Sequence, residues 1–440
     1  MRRVLVVGLI ALLAATTSSA APVSRTVLDN GLTVLAVQSN HIQVAGIAIV
    51  IEASGAHETD ENRGSRALLQ QMLSIAGRNA ISDDLEPISG IIRARSAGIS
   101  VNTNWDFVEV TFTVAVEELD AGLTLMADEV FEVQLTQEPF DRARDLVERM
   151  TDASRRSPVQ ETFDLLRLAL YGDSPMSEPQ QGDPESLARI DLENLQQFRD
   201  THYVPANAWL CIVSPLPADE ATAAVSAAFG GLATAAAPPA PPEFDLPTDS
   251  RVEVGDSPDL VQASMAVGVP LPSYGDPDFP AAEVVAELLD GRGGRLRRDL
   301  GLLQSLGLSL PTRLLDAHYP ISVLDIPVAR HPYLAVHVLA GPRSIERARS
   351  GVLRHLLALR TGGVTEDELQ RAKTRAINSH RLESRTPADA ALYLARRALF
   401  DLGDADEAVA AIEAVTAEEL TAVVTGHFDR HAVAVQMPSS

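Results

Sequence analysis

The sequence predicts an α+β protein made of two homologous α/β sandwich domains, and three observations carry that reading. First, features recur at a fixed separation. Arg142-Ala143-Arg144, Arg156-Ser157-Pro158 and Ala169-Leu170-Tyr171 are matched 229 residues later by Arg371-Ala372-Lys373, Arg385-Thr386-Pro387 and Ala398-Leu399-Phe400. Further on, IDLENLQQFRDTHY (Ile190 to Tyr203) is echoed by VTAEELTAVVTGHF (Val415 to Phe428), and each runs into an apolar segment, AWLCIV or AVAVQM. Agreement of residue type and spacing at this many points marks a tandem duplication. Second, the stretch ATAAAPPAPPEFDLP divides the chain. Its prolines can neither continue a helix nor join a central strand, so it reads as a semi-rigid linker. Third, both halves mix short β-branched runs with long helical patterns, as strands packed under helices require.

In chain order, residues 1–21 read as a signal peptide. Arg2 and Arg3 precede the apolar run VLVVGLIALLAA, and small residues follow in TTSSAAP. The run is short for a membrane span, and no cysteine follows it to carry a lipid anchor. The expectation is an exported protein, periplasmic or secreted, with no stable membrane insertion after cleavage. Residues 22–232 form the first expected domain, 233–247 the linker and 248–440 the second domain. In the first, VLDNGLTVLAV has an Asn-Gly turn, and VAGIAIVIEA reads as a buried strand. In SVNTNWDFVEVTFTVAV, the alternation puts Val108, Val110, Phe112 and Val114 on one face. Segments 136–155 and 365–384 carry helical spacing, and Asp191 and Thr416 fit N-cap positions.

Composition excludes some function classes. The net charge of −24 opposes both nucleic acid and an anionic membrane surface, each of which calls for clustered Lys and Arg. It serves solubility, or an acidic interior that attracts basic peptides. The single cysteine, Cys211, lies inside AWLCIV and reads as a buried strand thiol. His57 stands beside Glu58, Asp60 and Glu61, which fits either a metal-binding loop or a solvated acidic one. His427 and His431 are four apart but flank a helix end and a turn. His202 and His427 occupy equivalent repeat positions, which favours a shared structural role near a helix C-terminus. No G-x-S-x-G elbow or other nucleophile context is present.

The order of features resembles the insulinase, pitrilysin and mitochondrial processing peptidase family of zinc metallopeptidases. Three stretches carry the likeness: VLDNGLTVLAV, VIEASGAHE, and Gly64 followed by the Leu69-x-x-Met72-Leu73 spacing. In that family a helix carries H-x-x-E-H, whose two His hold zinc while the Glu activates water. The resemblance places these positions on Ala67, Gln70 and Gln71. Alanine has no donor atom, Gln70 cannot take a proton from water, and Gln71 offers only a neutral amide. A later Glu ligand falls on Met150, with Glu148 as the rival position. The resemblance therefore implies that zinc, the family's cofactor, is lost here and that no catalytic residue remains.

It also implies three substrate contacts. The stretch AGISVNTNW places Asn102, Thr103 and Asn104 on a strand edge where family members hold extended peptide. The stretch RRDLGLLQ places Arg298 at a substrate-contacting Arg and Gln304 where a Tyr would stand. The expected role is the non-catalytic subunit of a hetero-oligomer with an active zinc-peptidase relative, enclosing and binding peptide. A stand-alone peptide-binding or scaffold protein, and a metalloendopeptidase acting through another site, are the alternatives.

Overall fold

The computed structural model describes residues 22–40, 43–83, 99–258, 260–289, 294–296, 321–326, 330–361 and 363–439. The first half holds β1 (Ser24–Val27), β2 (Thr33–Gln38), β3 (Val44–Ile51), α1 (Ser65–Asp83), β4 (Ser100–Thr103), β5 (Val108–Ala115) and α2 (Leu119–Ala127). There follow α3 (Gln137–Arg155), α4 (Pro158–Tyr171), α5 (Pro184–Arg189), α6 (Leu192–His202), β6 (Ala208–Ser214) and α7 (Ala218–Phe229). The second half opens with β7 (Arg251–Ser257), β8 (Ala263–Pro270), α8 (Phe279–Leu289), β9 (Ile321–Ile326), β10 (Tyr333–Ala340) and α9 (Ile345–Thr361). It closes with α10 (Glu366–Glu383), α11 (Pro387–Leu399), α12 (Ala405–Ala414), α13 (Ala417–His427) and β11 (Ala432–Pro438). Residues 233–249 between the halves carry no regular element. Among the described residues no helix is long and apolar enough to cross a membrane.

Each half builds one sheet. Strand order is β1-β2-β6-β3-β5-β4 in the first and β7-β11-β8-β10-β9 in the second. The last strand of each half returns to pair in parallel, β6 with β2 and β11 with β7. This shared topology explains the sequence repeat. Local chemistry repeats with it. Asp191 and Thr416 close capping boxes at α6 and α13, and Ser157 and Thr386 cap α4 and α11 with Pro at the first helical position.

The central strands of each sheet are covered on both faces. On one side, Val108, Val110, Phe112 and Val114 of β5 join Ile47, Ile49, Leu68, Leu69, Phe140 and Val147 in the first domain's own core. The opposite faces are covered by exchange. Helix α11 of the second half lies on β3, β6 and β5, seating Ala391 and Ala395 against Ala48, Val50, Cys211 and Val213. Helix α4 of the first half lies on β8, β11 and β7, seating Leu166 and Leu170 against Ala266, Ala335 and Ala434. Glycine makes both crossings possible. A Cβ on Gly46 would stand 2.1 Å from the backbone of Pro387 and Ala388, and one on Gly268 would stand 3.0 Å from Leu170. Polar contacts fix the exchange. Arg396 of α11 bonds the buried Glu109 at 2.5 Å, and Thr162 of α4 donates to Ser264 at 2.7 Å, itself 3.0 Å from His337.

Candidate functional site

Helix α1 starts after Gly64, whose φ of +104° a side chain would strain. Leu68, Leu69, Met72 and Leu73 face the core. The 3.6-residue period turns Gln70 and Gln71 together to the opposite side, with Ala67 one turn before Gln71. Helix α3 packs along α1, and Gln71 Nε2 lies 3.9 Å from Met150 Sδ. The structure thus gathers Gln71 and Met150 and places them beside Ala67 and Gln70, while Glu148 lies two residues away on α3 and does not share Met150's direction. On the family resemblance these are the places of an imidazole and a carboxylate, and here they hold an amide and a thioether. Both are poor partners for zinc, and Ala67 has no donor at all. Among the described residues no three His, Cys, Asp or Glu side chains gather as a metal site. This donor set does not fit zinc.

Immediately before Ala67, Arg66 is fully buried, and the sequence reading missed it. Its Nη1 donates to Asn104 O at 2.5 Å and Ala53 O at 3.2 Å, and its Nε lies 3.4 Å from Glu58. Glu58 in turn accepts from the backbone N–H of Arg66 at 2.9 Å and of Gly64 at 3.2 Å. Burial raises the Glu58 carboxyl above its ordinary range, opposed by the Arg66 charge and these bonds. Asp60 and Glu61 are exposed, as a solvated acidic loop requires, but Glu58 is buried. It is an anchor joining the start of α1 to the turn after β4. A buried charged pair in an apolar sequence context gives no periodicity signal, so only its bonds reveal it.

His57 has a different use. Its Nδ1 accepts from Ser54 N at 3.2 Å, so its Nε2–H faces Pro239 O of the inter-domain segment, also at 3.2 Å. Its ring lies 4.5 Å from that of His202, which packs 4.4 Å from Phe198. Burial first, then the charges of His57 and Arg66, push His202 down to about 4. His427, its repeat counterpart, is half-buried at the end of α13, whereas His431 bonds Ser250 at 3.2 Å. The pair His427 and His431 does not act together. Burial also pushes the Cys211 thiol far above its ordinary range, so it is inert packing.

Strand β4 is the outer strand of its sheet, with Asn102 opposite Glu109 and Thr103 opposite Val108. Asn104 N donates to Phe107 O at 2.9 Å. Bonded and non-bonded pairs alternate along an antiparallel ladder, so Asn102 uses its main-chain groups toward β5. Val101 and Thr103 turn theirs to the open edge. Asn102 itself is exposed, and α1 packs beside this strand. The three residues 102–104 thus sit together at an edge next to α1. Arg298 and Gln304 lie outside the described residues. Behind the turn, a pocket of about 350 Å³ opens between the domains, lined by Trp105, Asp106, Phe244, Tyr274, Arg330 and His331. Arg330 reaches across it to bond Glu52.

Two family models match along the chain. That described as Insulinase (Peptidase family M16) covers residues 33–183, and the Peptidase M16 inactive domain covers 189–376. The chain belongs to the insulinase (M16) peptidase family. Mitochondrial-processing peptidase subunit beta of Caenorhabditis elegans is 24% identical over 357 residues, 79% of this chain and 74% of that protein. Cytochrome b-c1 complex subunit 1 of Rattus norvegicus is 23% identical over 177 residues, 40% of this chain and only 36% of the relative's length. The crystal structure of a peptidase M16 inactive domain from Pseudomonas fluorescens superposes with a TM-score of 0.81 at 18% identity, covering 95% of this chain and 98% of that one. The fold is that of the M16-like peptidases. The expected family and the two-domain α+β fold are both shown.

Proposed function

We propose that this chain is an exported, catalytically inactive member of the family that serves as the non-catalytic subunit of a heteromeric zinc peptidase. Its part is to enclose and hold peptide while a zinc-bearing relative cleaves it. One observation supports the reading: the residues that the resemblance assigns to zinc and its base are Ala67, Gln70, Gln71 and Met150, and Gln71 and Met150 stand 3.9 Å apart on packed helices. The names of relatives that are subunits of complexes support a hetero-oligomer, and the opening residues 1–21 support export. Peptide holding draws on β4, whose open edge at Val101 and Thr103 offers main-chain groups regardless of substrate side chains.

The test is co-purification from the native envelope fraction, with zinc content and peptide cleavage measured on the protein alone and on the complex. The expected result is a zinc-free protein recovered with a zinc-bearing relative, cleaving only together. Chelator-sensitive cleavage by the pure protein overturns the reading, and peptide binding with no peptidase attached replaces it with a stand-alone binding role. Proline at Thr103 removes an outward N–H without touching the β5 ladder, so Thr103→Pro is expected to reduce peptide binding at least tenfold. Asn102→Ala is expected to change it little.

A further inference from the structure

The two domains differ at the edge formed by β2 and β7: the first sheet has β1 beyond β2, and among the described residues the second has no strand beyond β7. In the first, β2 pairs with β6 so that Val34 stands opposite Leu210 and Ala36 opposite Ile212. Helix α7 covers both and contacts α2 as well. Val34 and Ala36 are 1% and 0% exposed. In the second, β7 pairs with β11 in the same parallel manner, Val252 opposite Val433 and Val254 opposite Val435. Val433 and Val435 are buried in the domain's own core, so Val252 and Val254 point to the same side. Yet they are 51% and 64% exposed. No described helix covers them.

Helix α9 shows the matching gap. Its buried Ile345, Ala348, Val352 and Leu356 repeat the spacing of Leu119, Gly122, Met126 and Val130, which puts Leu357 at the place of Phe131. Phe131 meets Phe229, the last residue of α7, at 6.2 Å. Leu357 instead stands 39% exposed in a groove with Leu353, Arg354 and Thr425. The two parts correspond to the surfaces of β2 and α2 that α7 bridges in the first domain. On a chain with a net charge of −24, α9 presents Arg347 and Arg354 exposed, while its Arg349 pairs with Glu346 at 2.8 Å and its Arg360 with Asp429 at 2.5 Å.

We propose that Val252, Val254, Leu353 and Leu357 form an empty helix seat that takes an acidic amphipathic helix from another protein. The first domain shows the kind of occupant. Helix α7 has an apolar stripe of Ala221, Val225 and Phe229 and the acids Asp219 and Glu220 in its first turn, with no base. An apolar stripe of this kind fits the valines and leucines, and acidic flanks match the arginines of α9. The inference uses only residues of the second domain's outer side and stands apart from the proposal for α1 and β4.

The probe is a synthetic peptide of residues 216–232 held helical by a lactam staple on its polar side, since a free helix this short is marginal in water. Titrated against the full chain, it is expected to bind saturably and more weakly as salt rises. Val254→Asp should weaken it at least tenfold and Arg354→Glu at least threefold. Both positions are exposed, and circular dichroism checks that each variant folds. Absence of saturable binding at millimolar peptide overturns the proposal. So does binding that both variants leave unchanged, and so does a homodimer that Val254→Asp dissociates, which would make a second copy of the chain the occupant.

Discussion

Two matching residue pairs separate the halves of this protein more clearly than any motif. Val34 and Ala36 lie sealed under α7, and their counterparts Val252 and Val254 lie open on β7. Strand order, parallel return strand and capped helices are otherwise shared. The difference teaches that a repeated sheet is held to a pattern by its topology, while its covering helices are free to diverge. The strongest way to test the comparison is to empty the filled seat. Phe229 is fully buried, and Asn30 Nδ2 donates to its carbonyl at 2.7 Å. Phe229→Ala should cost about 3–5 kcal/mol in denaturant unfolding. Leu357→Ala, at the matching but open place, should cost less than about 1 kcal/mol. Equal costs would mean that the second seat is filled within the isolated chain.

The exchanged helices give the next comparison. A Cβ at Gly46 collides with backbone at the start of α11, which cannot yield without moving the helix. A Cβ at Gly268 meets only the ends of Leu166 and Leu170, which can rotate. Gly46→Ala should therefore destabilise by about 3 kcal/mol and Gly268→Ala by about 1 kcal/mol or less. The readout is the shift of the unfolding midpoint at constant slope. A reversed order would mean that α4 is the more rigid of the two crossings.

A smaller effect rests on one of the repeat histidines. His202 is held to about 4 in the folded chain against 6.5 in its absence, chiefly by burial. A depressed histidine leaves the unfolded state binding the extra proton. Its contribution is complete above pH 6.5 and lost as pH falls toward 4, at about 1.4 kcal/mol per pH unit. His202→Phe should flatten that limb of the stability profile. A profile unchanged by His202→Phe would mean that the His57 and His202 rings open to water.

Much of this was legible in the chain. Capping residues, the Arg-Ala-Arg repeat and strand alternation specify local structure, and local structure plus duplication gives the domains. At Ala67, Gln70 and Gln71 the residue types alone carry the expectation of a lost metal site, because an alanine has no donor. What sequence could not show is which sheet a helix covers. Helices α4 and α11 have apolar stripes like any others, and nothing in those stripes says that each belongs to the opposite domain. The contact of Met150 with Gln71 is likewise invisible in the sequence. The burial of Arg66 and Glu58 is invisible in the sequence because it depends on their pairing with one another.

The smallest expected effect is the most informative about the open seat. Val34→Ala removes two buried methyl groups and should cost about 2 kcal/mol. Val254→Ala trims a side chain that is 64% exposed and should change the stability of the isolated chain by no more than about 0.5 kcal/mol. That near-silence is conditional. If a partner helix seats on β7, the same methyl groups become buried only in the complex, and the cost of Val254→Ala moves from folding to binding. Unfolding of the variant with and without the stapled helix would separate the two. A bare β7 edge also has unpaired main-chain groups, which invite wrong partners unless something covers them. Hydrogen exchange along residues 251–257 should therefore slow when the seat is filled, while exchange along β2 stays as it is.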